Sequence, residues 1–197
     1  MDAPPEDVQA TFAATLVDEW VRWGVTVAIV SPGSRSTPLA MALLAHPEMR
    51  VEVHPDERSA SFVALGVAIA TGAPSLVLTT SGTATVELHA AVVEADLARV
   101  PLIVCTADRP PELRDVGAPQ AIDQDHLFGR AVRWFHAPGV AHADSAGRWR
   151  GIAARAVAAA TGSAPGPVHL NLAFREPLVG QAGPLPSPRS DRPARFG

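Results

Sequence analysis

Four short segments carry the residue types that could do chemistry. The first, Ser31-Pro32-Gly33-Ser34-Arg35-Ser36-Thr37, joins a proline-glycine turn to hydroxyls and one guanidinium at a helix entrance. That combination suits a carboxylate or phosphate, and it also reads as a helix cap with a solvated arginine. The second, His54-Pro55-Asp56-Glu57-Arg58, offers two adjacent carboxylates. Asp56 reads as an N-cap and Glu57 as a first-turn residue, acids that stabilise the helix dipole by about 0.3 to 1 kcal/mol; the rival role is catalysis. The third, Thr80-Ser81-Gly82-Thr83, is a small-residue turn that lets a ligand approach the backbone. In the fourth, Arg109 precedes two prolines, and its planar fork matches a carboxylate bidentately. Its bland alternative is a surface arginine paired with Glu112 or Asp115.

The elements that must position these segments follow from periodicity. Phe12, Leu16, Val17, Trp20 and Val21 recur at helical spacing, with Gly24 as the stop. Apolar, β-branched runs at Val25–Val30, Val51–His54, Leu76–Thr79 and Pro101–Thr106 alternate with helical stretches at about 37–45, 56–70 and 84–97. Residues 109–124 read as a long loop. A short strand at 132–135, an alanine-rich helix at 145–160 and a strand at 167–172 follow. Alternating strands and helices imply an open, mainly parallel α/β sheet of about six strands with helices on both faces. In such sheets ligands bind beyond the carboxyl ends of the strands, and the first three segments follow strands there, as does Arg109. The domain is expected over residues 1–180, with 181–197 as a proline-rich linker or tail.

Composition removes several classes. The chain has 197 residues, 47% of them hydrophobic, and a formal charge of −4; it should fold around one core and have no general affinity for nucleic acid or membrane. It contains no lysine, so Schiff-base and P-loop chemistry are out. The single Cys105 excludes an internal disulfide, reads as core and agrees with a cytoplasmic location. The histidines lack ligand spacing, so no metal site is expected in the chain itself. No Gly-x-Gly-x-x-Gly and no Gly-x-Ser-x-Gly occurs. Residues 59–86 carry no charge, but Thr71-Gly72-Ala73-Pro74 divides them into a helix and a strand, so no membrane span is expected. The opening residues 1–8 are acidic and lack a signal-peptide pattern.

Taken in order, Ser31 to Leu39, Asp56-Glu57-Arg58, Thr80 to Ala84 and Ala107-Asp108-Arg109-Pro110-Pro111-Glu112-Leu113 closely resemble the N-terminal, pyrimidine-binding domain of the menaquinone-pathway SEPHCHC synthases, which depend on thiamine diphosphate. The resemblance spans about residues 11–180. It implies a transferase that decarboxylates 2-oxoglutarate and adds the remaining succinyl unit to isochorismate. It implies that Glu57 meets the pyrimidine N1′ of the cofactor, with Ser81, Gly82 and Thr83 nearby, and that Ser34, Arg35, Arg109 and Gln120 contact substrate. The family commonly reads Gly-Ala-Asn-Gln where this chain has Gly117-Ala118-Pro119-Gln120, so an amide side chain and a backbone N–H are lost. No Gly-Asp-Gly segment occurs. The resemblance therefore implies that the diphosphate and Mg²⁺ are held by a further domain of a second subunit in a homo-oligomer, the present chain alone being inactive. Two rival readings are an acetolactate-type thiamine enzyme and a stand-alone anion-binding regulatory module.

Overall fold

The computed structural model describes residues 3–188. Six strands form one sheet in the order β2-β1-β3-β4-β6-β5, and every neighbouring pair is parallel. The strands are β1 (Val27–Val30), β2 (Arg50–Val53), β3 (Ser75–Thr79), β4 (Leu102–Asp108), β5 (Phe135–His136) and β6 (Pro167–Ala173). The helices are α1 (Pro5–Arg22), α2 (Thr37–Ala45), α3 (Glu57–Thr71), α4 (Thr83–Val86), α5 (His89–Leu97) and α6 (Ala146–Thr161).

Side-chain alternation along the strands builds two cores. Ala28, Val30, Leu76, Leu78, Ile103, Cys105, Val168 and Leu170 pack with α1, α2 and α6. Ile29, Val77, Leu102 and Val104 point to the opposite face, against α3 and α5. Residues one apart on a strand face opposite ways, so helices cover both faces, as expected. The central strands β3 and β4 are buried along their whole length, which is why they read as unbroken apolar runs.

Local chemistry sets the ends. Pro5 opens α1, with Glu6 and Asp7 in its first turn, and Gly24 at φ 88° ends it. Gly72 at φ 67° closes α3 by donating to Ala68 O. The helix expected over 84–97 is instead two, α4 and α5, parted at Glu87 and Leu88. β-branched Thr83, Thr85 and Val86 are weak helix formers, and Leu88, with no exposed surface, is drawn into the α3–α5 core. The edge strand is shorter and later than the expected 132–135: only Phe135–His136 pairs as β5. The loop after β4 is tethered rather than free, with a 3₁₀ turn at Pro111–Leu113.

Residues 181–188 form no helix or strand and lie along α1 and α6. Gln181 N donates to Asp7 Oδ1 at 2.7 Å, Gly183 N to Thr11 Oγ1 at 2.9 Å, and Arg150 Nε to Pro186 O at 2.7 Å. The remainder of the tail assigned to 181–197 lies outside the described residues.

Candidate active site

The loops after β1, β2 and β3 meet at the carboxyl end of the sheet. Gly33 and Thr80 touch across the first and third: a Cβ on Gly33 would lie 2.4 Å from Thr80 Cβ, so only glycine fits. Gly82, at φ 80°, sits in a backbone region that L side chains avoid, and a Cβ there would come within 2.9 Å of Gln120 Cα. Its N–H donates to Gln124 Oε1 at 2.9 Å. These contacts enclose an open cleft of about 800 Å³ lined by Gly33, Ser34, Asp56, Glu57, Arg58, Thr80, Thr83, Glu87 and Gln120.

The two adjacent carboxylates divide their roles. Asp56 is the N-cap of α3, its Oδ1 accepting from Ser59 N at 2.6 Å. Hydrogen bonding from Ser59 holds the Asp56 carboxyl below its ordinary range. Glu57 occupies the first turn, is half-buried in the cleft wall, and has no hydrogen-bond or ion-pair partner among the described residues. The cap is thus supplied by Asp56, and the Glu57 carboxylate remains available to a ligand.

Neither arginine is a solvated surface group. Arg35 is 6% exposed and donates from Nη1 to Phe174 O at 3.0 Å and from Nη2 to Glu176 Oε1 at 2.9 Å, while its Nε is buried without a partner. Arg109 does not pair with Glu112 or Asp115. Its Nη1 donates to Ser81 Oγ and its Nη2 to Pro119 O at 2.7 Å; Glu112 holds Arg175 instead. Burial, and next the charge of Arg35, lower the pKa of Arg109, so the two guanidiniums lie within electrostatic reach of each other. Both stand behind the loop tips rather than in the cleft lining. Pro119, which has no N–H to give, supplies its carbonyl to Arg109, and Gln120 follows at φ 53° with its side chain on the cleft.

A buried polar network supports Arg109. Asp108 accepts from Arg109 N at 2.7 Å, from Arg114 Nη2 at 2.6 Å and from Asn171 Nδ2 at 2.8 Å. Burial raises its pKa against the opposing pull of Asn171 and Arg114. Gln124 Nε2 donates to Ala107 O and Asn171 Oδ1, tying the 109–124 loop to β4 and β6. Thr106 Oγ1 donates to Asn171 Oδ1 at 2.9 Å and so accepts from His169 Nε2 at 2.8 Å.

Of the residues singled out by sequence, Ser34, Glu57, Thr83 and Gln120 share the cleft; Ser81 and Gly82 are buried behind its lining, and Arg35 and Arg109 brace the loops. Glu87, Gln124, Asn171 and Glu176 were missed. His169 and Asn171 did leave a signal, as polar residues on one side of an otherwise apolar strand; Glu176 reaches Arg35 across 141 residues and left none. Among the described residues no group of three His, Cys, Asp or Glu side chains could hold a metal ion, and no helix is long and apolar enough to cross a membrane.

Comparison with known proteins gives a consistent result. The family described as "Thiamine pyrophosphate enzyme, N-terminal TPP binding domain" matches residues 10–127. A protein of Geobacillus kaustophilus named 2-succinyl-5-enolpyruvyl-6-hydroxy-3-cyclohexene-1-carboxylate synthase is 57% identical over 175 residues, 88% of this chain and 30% of that protein. Proteins of the same name from Thermobifida fusca and Haloarcula marismortui are 54% and 50% identical, covering 89% and 97% of this chain and 32% of each relative. The chain therefore spans about a third of the length of the curated relatives it matches.

Proposed function

The chain belongs to the thiamine pyrophosphate enzymes, as their N-terminal TPP binding domain, and from that membership we propose that it forms the pyrimidine-binding part of a SEPHCHC synthase. The reaction would join 2-oxoglutarate to isochorismate with loss of carbon dioxide. The names of relatives at 50% to 57% identity support this choice over an acetolactate-type enzyme or a regulatory module.

The observation that carries the reading is the unpartnered Glu57 carboxylate beside the Asp56 cap. The cleft fits the pyrimidine end of the cofactor by its polar groups: the half-buried, unpartnered Glu57 carboxylate, the more exposed Glu87, and the hydroxyls of Ser34 and Thr83. When bound, thiamine diphosphate supplies an electron sink for loss of carbon dioxide from a 2-oxo acid. Glu57 would hold a proton at the pyrimidine N1′ as an acid–base partner. Thr83, Ser81 and Gly82 would line the ring's pocket. Ser34 and Gln120 would meet substrate at the cleft wall, and Arg35 and Arg109 would provide positive charge for the substrates' carboxylates. Pro119 holds Arg109 through its carbonyl, so the departure at this position keeps the brace and gives up only the amide side chain and N–H.

Mg²⁺ and the diphosphate would be held outside residues 3–188, on the diphosphate-binding domain of a second subunit. The exposed apolar side chains of Phe62 and Ile69 on α3 and of Val86 on α4, all within the uncharged stretch 59–86, support a homo-oligomer. We assign residues 1–180 to the pyrimidine-binding domain and 181–197 to a linker, place the protein in the cytoplasm, and expect this polypeptide alone to be inactive.

The test is a chimera in which this chain replaces the matching part of the Thermobifida fusca relative. Turnover of isochorismate with 2-oxoglutarate, and none with pyruvate, is expected. Activity with pyruvate alone, or none with 2-oxoglutarate in a folded chimera, overturns the assignment.

A further inference from the structure

At the β5 edge a second cavity, of about 490 Å³, lies between residues 134–142 and the outer face of α6 and shares no lining residue with the cleft. Arg148 and Arg155, seven residues apart and thus on one helix face, both line it, together with His136 and His142; no Asp or Glu does. Seven other arginines, Arg22, Arg35, Arg50, Arg114, Arg133, Arg150 and Arg175, each hold a carboxylate, whereas among the described residues Arg58, Arg99, Arg109 and Arg130 do not. Arg148 and Arg155 hold none among the described residues.

Their surroundings prepare them for a ligand. The Arg155 guanidinium lies 4.9 Å from the centre of the Trp134 ring, and Trp134 stacks on His136 at 5.0 Å and 12°. The ring fixes the cation without consuming its N–H donors. Burial and the charge of Arg155 keep His136 below its ordinary pKa, so at neutral pH it adds a polar rim and the two arginines carry the positive charge of the site. Gly151 also lines the cavity, and a Cβ there would meet nothing within 4 Å. Glycine inside a helix costs about 1 kcal/mol relative to alanine; packing does not require it here, but it leaves the floor between the two arginines open. Trp149, Ile152 and Val140 complete an apolar wall.

We propose that this cavity binds a compact organic anion, its carboxylate or phosphate head gripped by Arg148 and Arg155 and its apolar body set against Trp149 and Ile152. The volume suits a small ligand, and two guanidiniums facing one acid-free space match an anionic head better than they match water alone. The inference does not depend on the thiamine reading.

The full chain is titrated with cyclohexanecarboxylate, and separately with cyclohexyl phosphate, while tryptophan fluorescence is followed; both probes are transparent at tryptophan wavelengths. Cyclohexylmethanol is the neutral control. A saturable change with at least one anion and none with the alcohol is expected, and the two arms show which head the site prefers. Affinity should fall roughly 10-fold or more in Arg148→Gln and in Arg155→Gln, both exposed positions where folding is not at stake. Gly151→Leu, which fills the floor and keeps both charges, should abolish the response. No saturable change with either anion, an equal response to the alcohol, or undiminished affinity in the arginine variants overturns the proposal.

Discussion

Arg109 and Ser81 are joined side chain to side chain, the guanidinium Nη1 donating to the serine hydroxyl across 28 residues of sequence. The bond links the loop after β4 to the loop after β3, and the other arm of the same guanidinium holds Pro119 O. One planar fork therefore ties the buried backbone behind the cleft to the segment that carries Gln120. A charge-assisted hydrogen bond to a buried partner contributes about 1.5 to 3 kcal/mol. A double-mutant cycle of Arg109→Gln and Ser81→Ala, read by urea unfolding, should show a coupling of about 1 to 3 kcal/mol. Additive effects would mean that the contact does not organise the loops.

Gly82→Ala should destabilise the fold by about 1 to 3 kcal/mol, the usual cost of forcing a side chain into a glycine-only backbone region. Its Cβ would also press on Gln120 backbone. A change in the urea midpoint checks this; a melting curve equal to that of the unaltered chain contradicts it.

His169 makes stability depend on pH. Burial, and next the charge of His126, lower its pKa from 6.5 to about 3, whereas the unfolded imidazole takes up its proton near 6.5. Between those values the unfolded state binds more protons. The contribution is therefore complete above pH 6.5 and is lost as pH falls toward 3, by at most about 1.4 kcal/mol per pH unit. Urea unfolding at several pH values in that window should show this slope, and His169→Gln should flatten it. An unchanged slope in the variant would assign the effect to other groups.

Cys105 has no exposed surface, and burial pushes its thiol pKa up. Thiol reagents should label it only as fast as the chain unfolds. Rapid labelling of the native chain contradicts its place in the α1–α6 core.

Much of this was legible in the sequence because local chemistry and tertiary demand agree there. The helix α2 begins at Thr37 and ends at Ala45 as the spacing implies, and the β-branched runs became parallel strands within one or two residues at most ends. The break at Leu88 was not legible, since it arises when a buried leucine is pulled toward α3 across a weak helical turn. The anchoring of the arginines was missed for a different reason. Arg35 with Glu176, Arg109 with Pro119 O and Gln124 with Gly82 N are tertiary hydrogen bonds, and no periodicity encodes them. Asp56 and Glu57 lie between these cases: the cap at Asp56 and the first-turn place of Glu57 follow from the sequence and are borne out by Asp56 accepting from Ser59 N, but that Glu57 is left without a partner depends on tertiary packing.

The central claim is that Asp56 frees its neighbour for acid–base work, and the most direct measurement compares two variants in the Thermobifida fusca chimera. Glu57→Gln should lower turnover of isochorismate with 2-oxoglutarate by about 10²-fold or more while leaving the melting temperature near its original value. Asp56→Ala should lower the melting temperature through loss of a cap contribution of about 1 kcal/mol and keep most of the turnover. Near-normal turnover in Glu57→Gln would contradict the account.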